Sequence, residues 1–171
     1  MLRRQLPRIW MMTDERMGEG LWAALHRLPR GAGVVFRHYG LPPAERKRAY
    51  ARVARIAGKR RLLLVRAGPR VGREAGVHGA DRRDRRLRTA SAHSRPEAVR
   101  AIRDGAQLLF VSPVFATRSH PGARTLGRTR LGLMIRGLGV PVVALGGLDE
   151  RRFAGLRGLG IFGWAGIDAW L

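Results

Sequence analysis

Thr117, Arg118, Ser119 and His120 are consecutive, in the loop TRSHPG that follows the apolar run LLFV at 108–111. Hydroxyls and a guanidinium donate hydrogen bonds to anions, and an unperturbed imidazole changes charge near pH 6.5. The run is short enough for a strand buried on both faces, and it breaks at Ser112-Pro113. α/β proteins place their chemistry in loops at the carboxyl ends of such strands. His120 therefore has two readings, a catalytic base or a loop residue that binds phosphate or caps the turn at Pro121-Gly122. A second buried run, VPVVALGGL at 140–148, ends in Gly146-Gly147. Glycine lets backbone N–H groups approach a phosphate that a Cβ would obstruct. The plain alternative is a turn before a helix, and the acidic start Asp149-Glu150 favours the phosphate reading. Trp164-Ala165-Gly166 forms a third such stretch. His78, in AGVHGA, is a lone histidine at a strand end and reads as structural rather than as a ligand.

These loops need a scaffold, and the chain supplies a regular alternation. Strands are expected over 8–13, 34–38, 62–65, 75–78, 89–94, 108–111, 140–148 and 161–167. Helices are expected over 20–28, 44–57, 96–104, 129–138 and 151–156, the second ended by Gly58 and the fourth weakened by Gly132 and Gly137. Ser94, Pro96 and Glu97 form a capping-box pattern for the third helix. The connection 65–75 carries no helical pattern, and DRRDRRLR at 81–88 reads as a solvated turn or helix face. Parallel strands joined by helices make this an α/β chain: a compact TIM (β/α)8 barrel with short helices and clipped loops, as one domain over 1–171.

The formal net charge is +22, and of the 34 basic residues all but Lys47 and Lys59 are arginines. Such a charge is a footprint for nucleic acid or another polyanion. The arginines spread along the whole chain, however, and the few aromatics are not interleaved with them as a stacking platform requires. The competing readings are compositional bias on solvated helix faces and a field that attracts phosphorylated small molecules. There is no cysteine, hence no disulfide framework and no thiolate metal site. No apolar run approaches the roughly 18 residues of a membrane span, and MLRRQLPRIW lacks a signal-peptide core. A cytoplasmic location without membrane association is expected.

SPVFATRSHPG followed by VPVVALGGL resembles the thiamine phosphate synthase family, which includes a thiazole tautomerase branch. The resemblance runs more weakly from about Ile9 to the C-terminus and takes in the Thr13-Asp14 turn, the G-V-H strand and the S-x-H-S ending of TASAHS. It implies a transferase that condenses an aminopyrimidine diphosphate with thiazole phosphate and expels pyrophosphate, with Mg²⁺ assisting. In the family's G-P-x-F-x-T-x-T-K loop, Pro113, Phe115 and Thr117 match, Ser119 stands for the second Thr and His120 for the Lys. Arg118 or Arg124 is then the nearest source of the missing charge. Arg37 matches the Arg of the pyrimidine-side Q-x-R-x-K, but Val35 and Tyr39 replace its Gln and Lys. Ser91 matches a strand-five Ser that faces the pyrophosphate, making Ser91 and His120 the catalytic candidates. The phosphate-binding candidates are Arg37, Thr117, Ser119, Gly146, Gly147, Ala165 and Gly166.

The family's metal ligands are an Asn-Asp pair ending strand three and an Asp after the G-V-H strand. Strand three here ends Val65-Arg66-Ala67, and only Asp81 and Asp84 follow His78, out of register. Mg²⁺ takes hard oxygen ligands, so arginine guanidinium is the alternative partner for phosphate. In the tautomerase branch the base is a His at the position of Pro113. Three functions therefore remain in view: the synthase, a divergent tautomerase or non-catalytic thiazole-phosphate binder, and an Arg-rich nucleic-acid-binding protein.

Overall fold

Trp10 fixes how the barrel closes. It pairs with Gly33 across the first two strands, and a Cβ on Gly33 would stand 2.1 Å from the indole ring. The indole meets Phe110 edge-on at 5.3 Å, and Phe110 in turn meets His78 at 5.5 Å. Residues from the first, fourth and sixth strands thus touch inside one ring of strands. In the computed structural model, which describes residues 5–79, 86–118 and 122–171, the strands are β1 (Ile9–Met12), β2 (Gly33–Phe36), β3 (Leu63–Ala67), β4 (Gly76–His78), β5 (Leu87–Ala92), β6 (Leu108–Val111), β7 (Val142–Leu145) and β8 (Gly163–Gly166). They form a closed barrel in chain order, every neighbouring pair parallel, with β8 returning to β1.

The helices are α1 (Gly20–Arg27), α2 (Pro43–Arg60), α3 (Arg95–Arg103), α4 (Gly127–Ile135) and α5 (Glu150–Ala154). Two apolar clusters fill the molecule. One joins the barrel interior to α1 and α2, around Trp10, Phe36, Val53 and Phe110. The other lies under α3 to α5, around Leu109, Leu131, Trp164 and Leu156.

Several boundaries differ from the sequence reading by a few residues, α4 among them (Gly127–Ile135 rather than 129–138), and three of the differences have a plain local reason. Helix α2 runs through Gly58, since one helical glycine costs only about 1 kcal/mol. It stops at Arg61, in the left-handed conformation at φ 55°, with Leu62 N–H bonded to Ala57 O at 2.8 Å. Strand β3 consequently starts one residue later than expected and reaches Ala67. Strand β5 spans Leu87–Ala92 rather than 89–94, because Ser94 leaves the sheet to cap α3 and accepts from Glu97 N. Leu87 and Arg88, expected in a solvated charge cluster, pair with Gly76 and Val77 of β4; residues 81–85 of that cluster lie outside the described residues.

The segment between β3 and β4 contains no helix, as expected. A buried ion pair covers that side instead: Arg66 Nε donates to Glu74 Oε1 at 2.5 Å, and Arg86 approaches the same oxygen at 3.4 Å. Other arginines hold the short connections by donating to backbone carbonyls. Arg46 reaches His38, Pro69 and Ala67, Arg60 reaches Leu28, and Arg95 reaches Met134 and Arg136. A guanidinium carries five donors in a planar fork. Part of the arginine excess is therefore structural, tying the connections between elements.

Candidate functional site

The loops after β6, β7 and β8 enclose a cavity of about 390 Å³ at the carboxyl-terminal mouth of the barrel. Gly146 and Gly147 end β7 there, at φ +97° and +60°. Both are obliged to be glycine by the loop from β6. A Cβ on Gly147 would stand 2.2 Å from Ala116 O, and one on Gly146 2.9 Å from Pro113 Cα. Backbone bonds from Val114 N to Leu145 O and from Phe115 N to Gly146 O draw the two segments together. The glycine pair is thus a tight turn and a wall of the cavity at once.

Arg37, Thr117, Gly146, Gly147 and Gly166 all line this cavity, so residues far apart in sequence meet as the sequence reading grouped them. Ala165 does not reach it: the residue is fully buried in β8, and only Gly166 of that stretch faces the opening. Ser91 also stands apart, opening onto a neighbouring depression of about 430 Å³. Ser119, His120, Asp81 and Asp84 lie outside the described residues.

Arg37 is held from behind. Its backbone N–H donates to Thr13 Oγ1 at 2.9 Å, and the same hydroxyl meets His38 Nδ1 at 3.0 Å. Thr13 is wholly buried. Having accepted from the Arg37 amide, its hydroxyl is free to donate its hydrogen to the imidazole. Burial holds His38 below the usual histidine pKa, outweighing the nearby Glu15 and Asp14, so the ring is neutral and can accept.

Three residues on the cavity wall were not singled out from the sequence. Arg152 donates to Gly147 O at 2.6 Å, which fixes the glycine turn and brings a second guanidinium to the wall. Asp168 pairs with Arg118, Nε to Oδ2 3.3 Å. His93 lies on the wall with its Nδ1 3.1 Å from Glu97 Oε2. The signals were present, in the S-x-H-S ending and in the helix opened by Asp149, but nothing in the sequence oriented either helix start toward the cavity.

His78 is more deeply set than a lone strand-end histidine. Its Nδ1 lies 2.9 Å from Thr89 Oγ1 and its Nε2 3.1 Å from Ser91 Oγ. Burial, with a smaller push from Arg37, lowers its pKa to about 4, so it is neutral at physiological pH.

The donors among the described residues do not fit Mg²⁺. Among the described residues no cluster of three His, Asp or Glu side chains is placed to hold a metal ion. Asp149 spends its carboxylate on the Arg152 amide as the cap of α5, and Asp168 faces Arg118. Arg66, at the position of an expected ligand, points outward onto Glu74 and Gly68 O. It therefore neither holds a metal nor serves the cavity as the substitute cation considered above.

Closed parallel strands with a cavity walled by the loops after β6, β7 and β8 define a (β/α)8-barrel protein with its site at the carboxyl-terminal mouth. The chain belongs to the thiamine monophosphate synthase family, whose model matches residues 13–170. It is 29% identical to "Putative thiamine-phosphate synthase 2" of Aquifex aeolicus, over 98% of this chain and 99% of that protein. It is 36% identical over 85 residues to a thiamine-phosphate synthase of Chloroflexus aurantiacus, covering 49% of this chain and 39% of that one. The fold is similar to that of a solved thiamine phosphate pyrophosphorylase from Pyrococcus furiosus, with a TM-score of 0.78 at 23% identity, over 98% of this chain and 88% of that one.

Proposed function

We propose that the chain condenses an aminopyrimidine diphosphate with thiazole phosphate, giving thiamine phosphate and pyrophosphate. The observation that carries this reading is the convergence of Arg37, Arg152 and Thr117 on the Gly146-Gly147 turn around one cavity. A reaction that expels pyrophosphate needs donors aimed at developing negative charge, already in place before the bond breaks. Arginine forks meet phosphate oxygens bidentately and stay charged throughout. The turn at Gly146-Gly147 admits a phosphate close to the backbone, and Arg152 keeps that turn from shifting. No step is assigned to Mg²⁺, since among the described residues the carboxylates on the cavity wall, Asp149 and Asp168, are committed to Arg152 N–H and Arg118. A cytoplasmic location and one domain over 1–171 belong to the same proposal; no helix among the described residues is long and apolar enough to cross a membrane.

One observation favours a second reading, a divergent thiazole tautomerase. His93 faces the cavity with Glu97 behind its Nδ1, which leaves Nε2 to take and return a proton, as a positioned base must. A non-catalytic thiazole-phosphate binder and the nucleic-acid reading have no such observation. The many arginines bound to backbone carbonyls weaken the latter further.

The test is to incubate the purified chain with both phosphorylated precursors, with Mg²⁺ and with a chelator, and to measure thiamine phosphate. Product that persists in the chelator, and that Arg37→Ala and Arg152→Ala each diminish, supports the arginine-based synthase. Isomerisation of the thiazole without condensation, abolished by His93→Ala, would replace it with the tautomerase.

A further inference from the structure

A groove of about 930 Å³ opens at the end of the barrel opposite the cavity. Arg8, Pro141 and Phe162 line it, each standing immediately before a strand begins, at β1, β7 and β8. Its origin is a mismatch of helix lengths. α4 has nine residues and α5 has five, about 14 Å against about 8 Å at the helical rise. Leu131, Met134 and Ile135 bury one face of α4. Thr129, Gly132 and Leu133 share another face, at i, i+3 and i+4, and Arg136 follows at the helix end. All four line the groove. Leu159 approaches this face at Gly132, where an added Cβ would stand 3.3 Å from its side chain. Leu133 nonetheless stays 66% exposed, the most exposed large apolar side chain among the described residues.

The lining combines apolar side chains with three guanidiniums, of Arg8, Arg128 and Arg136, and includes no Asp or Glu. Arg8 lies over the Phe162 ring, 5.2 Å from its centroid, and Arg128 donates to Gly155 O. Both are thus held in place with their charge uncompensated. Among the described residues none of the three arginines pairs with a carboxylate. Arg128 and Arg136 are eight positions apart, about 12 Å along the helix, which suits an elongated ligand with anionic groups at separate points and an apolar body between them. We infer that the groove docks an acidic peptide segment of a partner protein, its carboxylates meeting the three arginines and its aliphatic side chains covering Leu133. Charge complementarity selects this occupant. A second copy would bring a net charge of +22 onto a face that is itself basic. A nucleic acid would meet Leu133, Val140 and Leu159 where it needs polar or stacking partners, and a concave face does not lie flat on a membrane.

Fluorescence anisotropy of the full-length protein tests this with three short labelled peptides at physiological salt, where long-range attraction is screened. The first carries glutamates and leucines at helical spacing, the second has glutamine for every glutamate, and the third has serine for every leucine. The wild-type chain is expected to bind the first about tenfold or more tightly than either of the others. Leu133→Asp and Arg136→Glu should each weaken the first peptide about tenfold, the scale of one buried apolar side chain or one charge pair. Both residues are exposed, so both variants should keep the wild-type melting temperature. Hydrogen exchange in the complex should slow over 129–137 and 158–162 and stay unchanged at 146–147. No binding of the first peptide would overturn the inference. So would equal binding of the serine peptide, which would show attraction to the whole basic surface, or binding that Leu133→Asp leaves intact. Self-association of the free chain in sedimentation, abolished by Leu133→Asp, would give the groove to a second copy and overturn it as well.

Discussion

Thr13, just past the end of β1, accepts the backbone N–H of Arg37, just past the end of β2, at 2.9 Å. Neither residue is regular strand, yet this bond extends the pairing of the two strands to the mouth of the barrel. It turns a buried threonine into the support of a cavity arginine. Thr13→Val is expected to leave the Arg37 amide and His38 Nδ1 without their partner, at a cost of about 1–3 kcal/mol. Urea unfolding measures that loss, and calorimetry should show pyrophosphate binding weakened although no group facing the ligand has changed.

Gly147→Ala and Gly58→Ala form a matched pair with opposite signs. At Gly147 the new methyl would meet Ala116 O on a backbone at φ +60°, so the loop from β6 must move and the cavity deforms. Loss of anion binding with a fall in melting temperature is expected. At Gly58, inside α2, nothing lies within 4 Å, and alanine should stabilise by about 0.5–1 kcal/mol. Calorimetric melting of both variants checks the pair.

Arg61→Gly is expected to stabilise the protein by about 1 kcal/mol, since Arg61 is exposed and ends α2 at φ 55°, where a side chain is strained and glycine is not. For a chain of this size that corresponds to roughly 2–4 °C in melting temperature. An unchanged or lower value would show that the side chain contributes more than its backbone costs.

Acid should destabilise the fold through His78. Its pKa is about 4 when folded and 6.5 when free, so the unfolded chain binds the proton more tightly. Its full contribution is present above pH 6.5. Stability then declines as pH falls from 6.5 toward about 4, by roughly 1.4 kcal/mol per unit, or about 2 kcal/mol at pH 5. His38, shifted in the same direction by burial, adds to the slope. Stability measured against pH should flatten in that window in His78→Asn and flatten further when His38 is replaced as well.

Glu74→Gln is expected to cost about 3–5 kcal/mol, because it removes the buried carboxylate that balances the Arg66 charge. Equilibrium unfolding of the variant measures the loss.

Much of the barrel was legible in the chain because a strand buried on both faces has a plain signature. LLFV at 108–111 and VVAL at 142–145 are apolar without alternation, and each is followed by a break that no helix or strand tolerates. The Ser112-Pro113 and Gly146-Gly147 punctuation located the loops for the same reason. The capping box at Ser94 and Glu97 is a local motif, complete within a few residues, and the structure forms it. What remained hidden depended on direction in space. Arg66 reads from sequence as a charge at the site. Strand parity and the approach of Glu74 turn it outward, and no local pattern records which face a neighbouring strand will cover.

The sequence by itself determined the alternation of elements, the positions of the loops, the glycine pair and the family, since each is carried by composition and spacing along a short stretch. Only the tertiary structure decided that Arg37, Arg152 and Gly147 share one cavity while Ser91 opens onto another. It alone assigned His78 to Thr89 and Ser91. Those relations are set by the closure and register of eight parallel strands. Closure joins residues over a hundred positions apart, and a one-residue change in register would send each side chain to the opposite face.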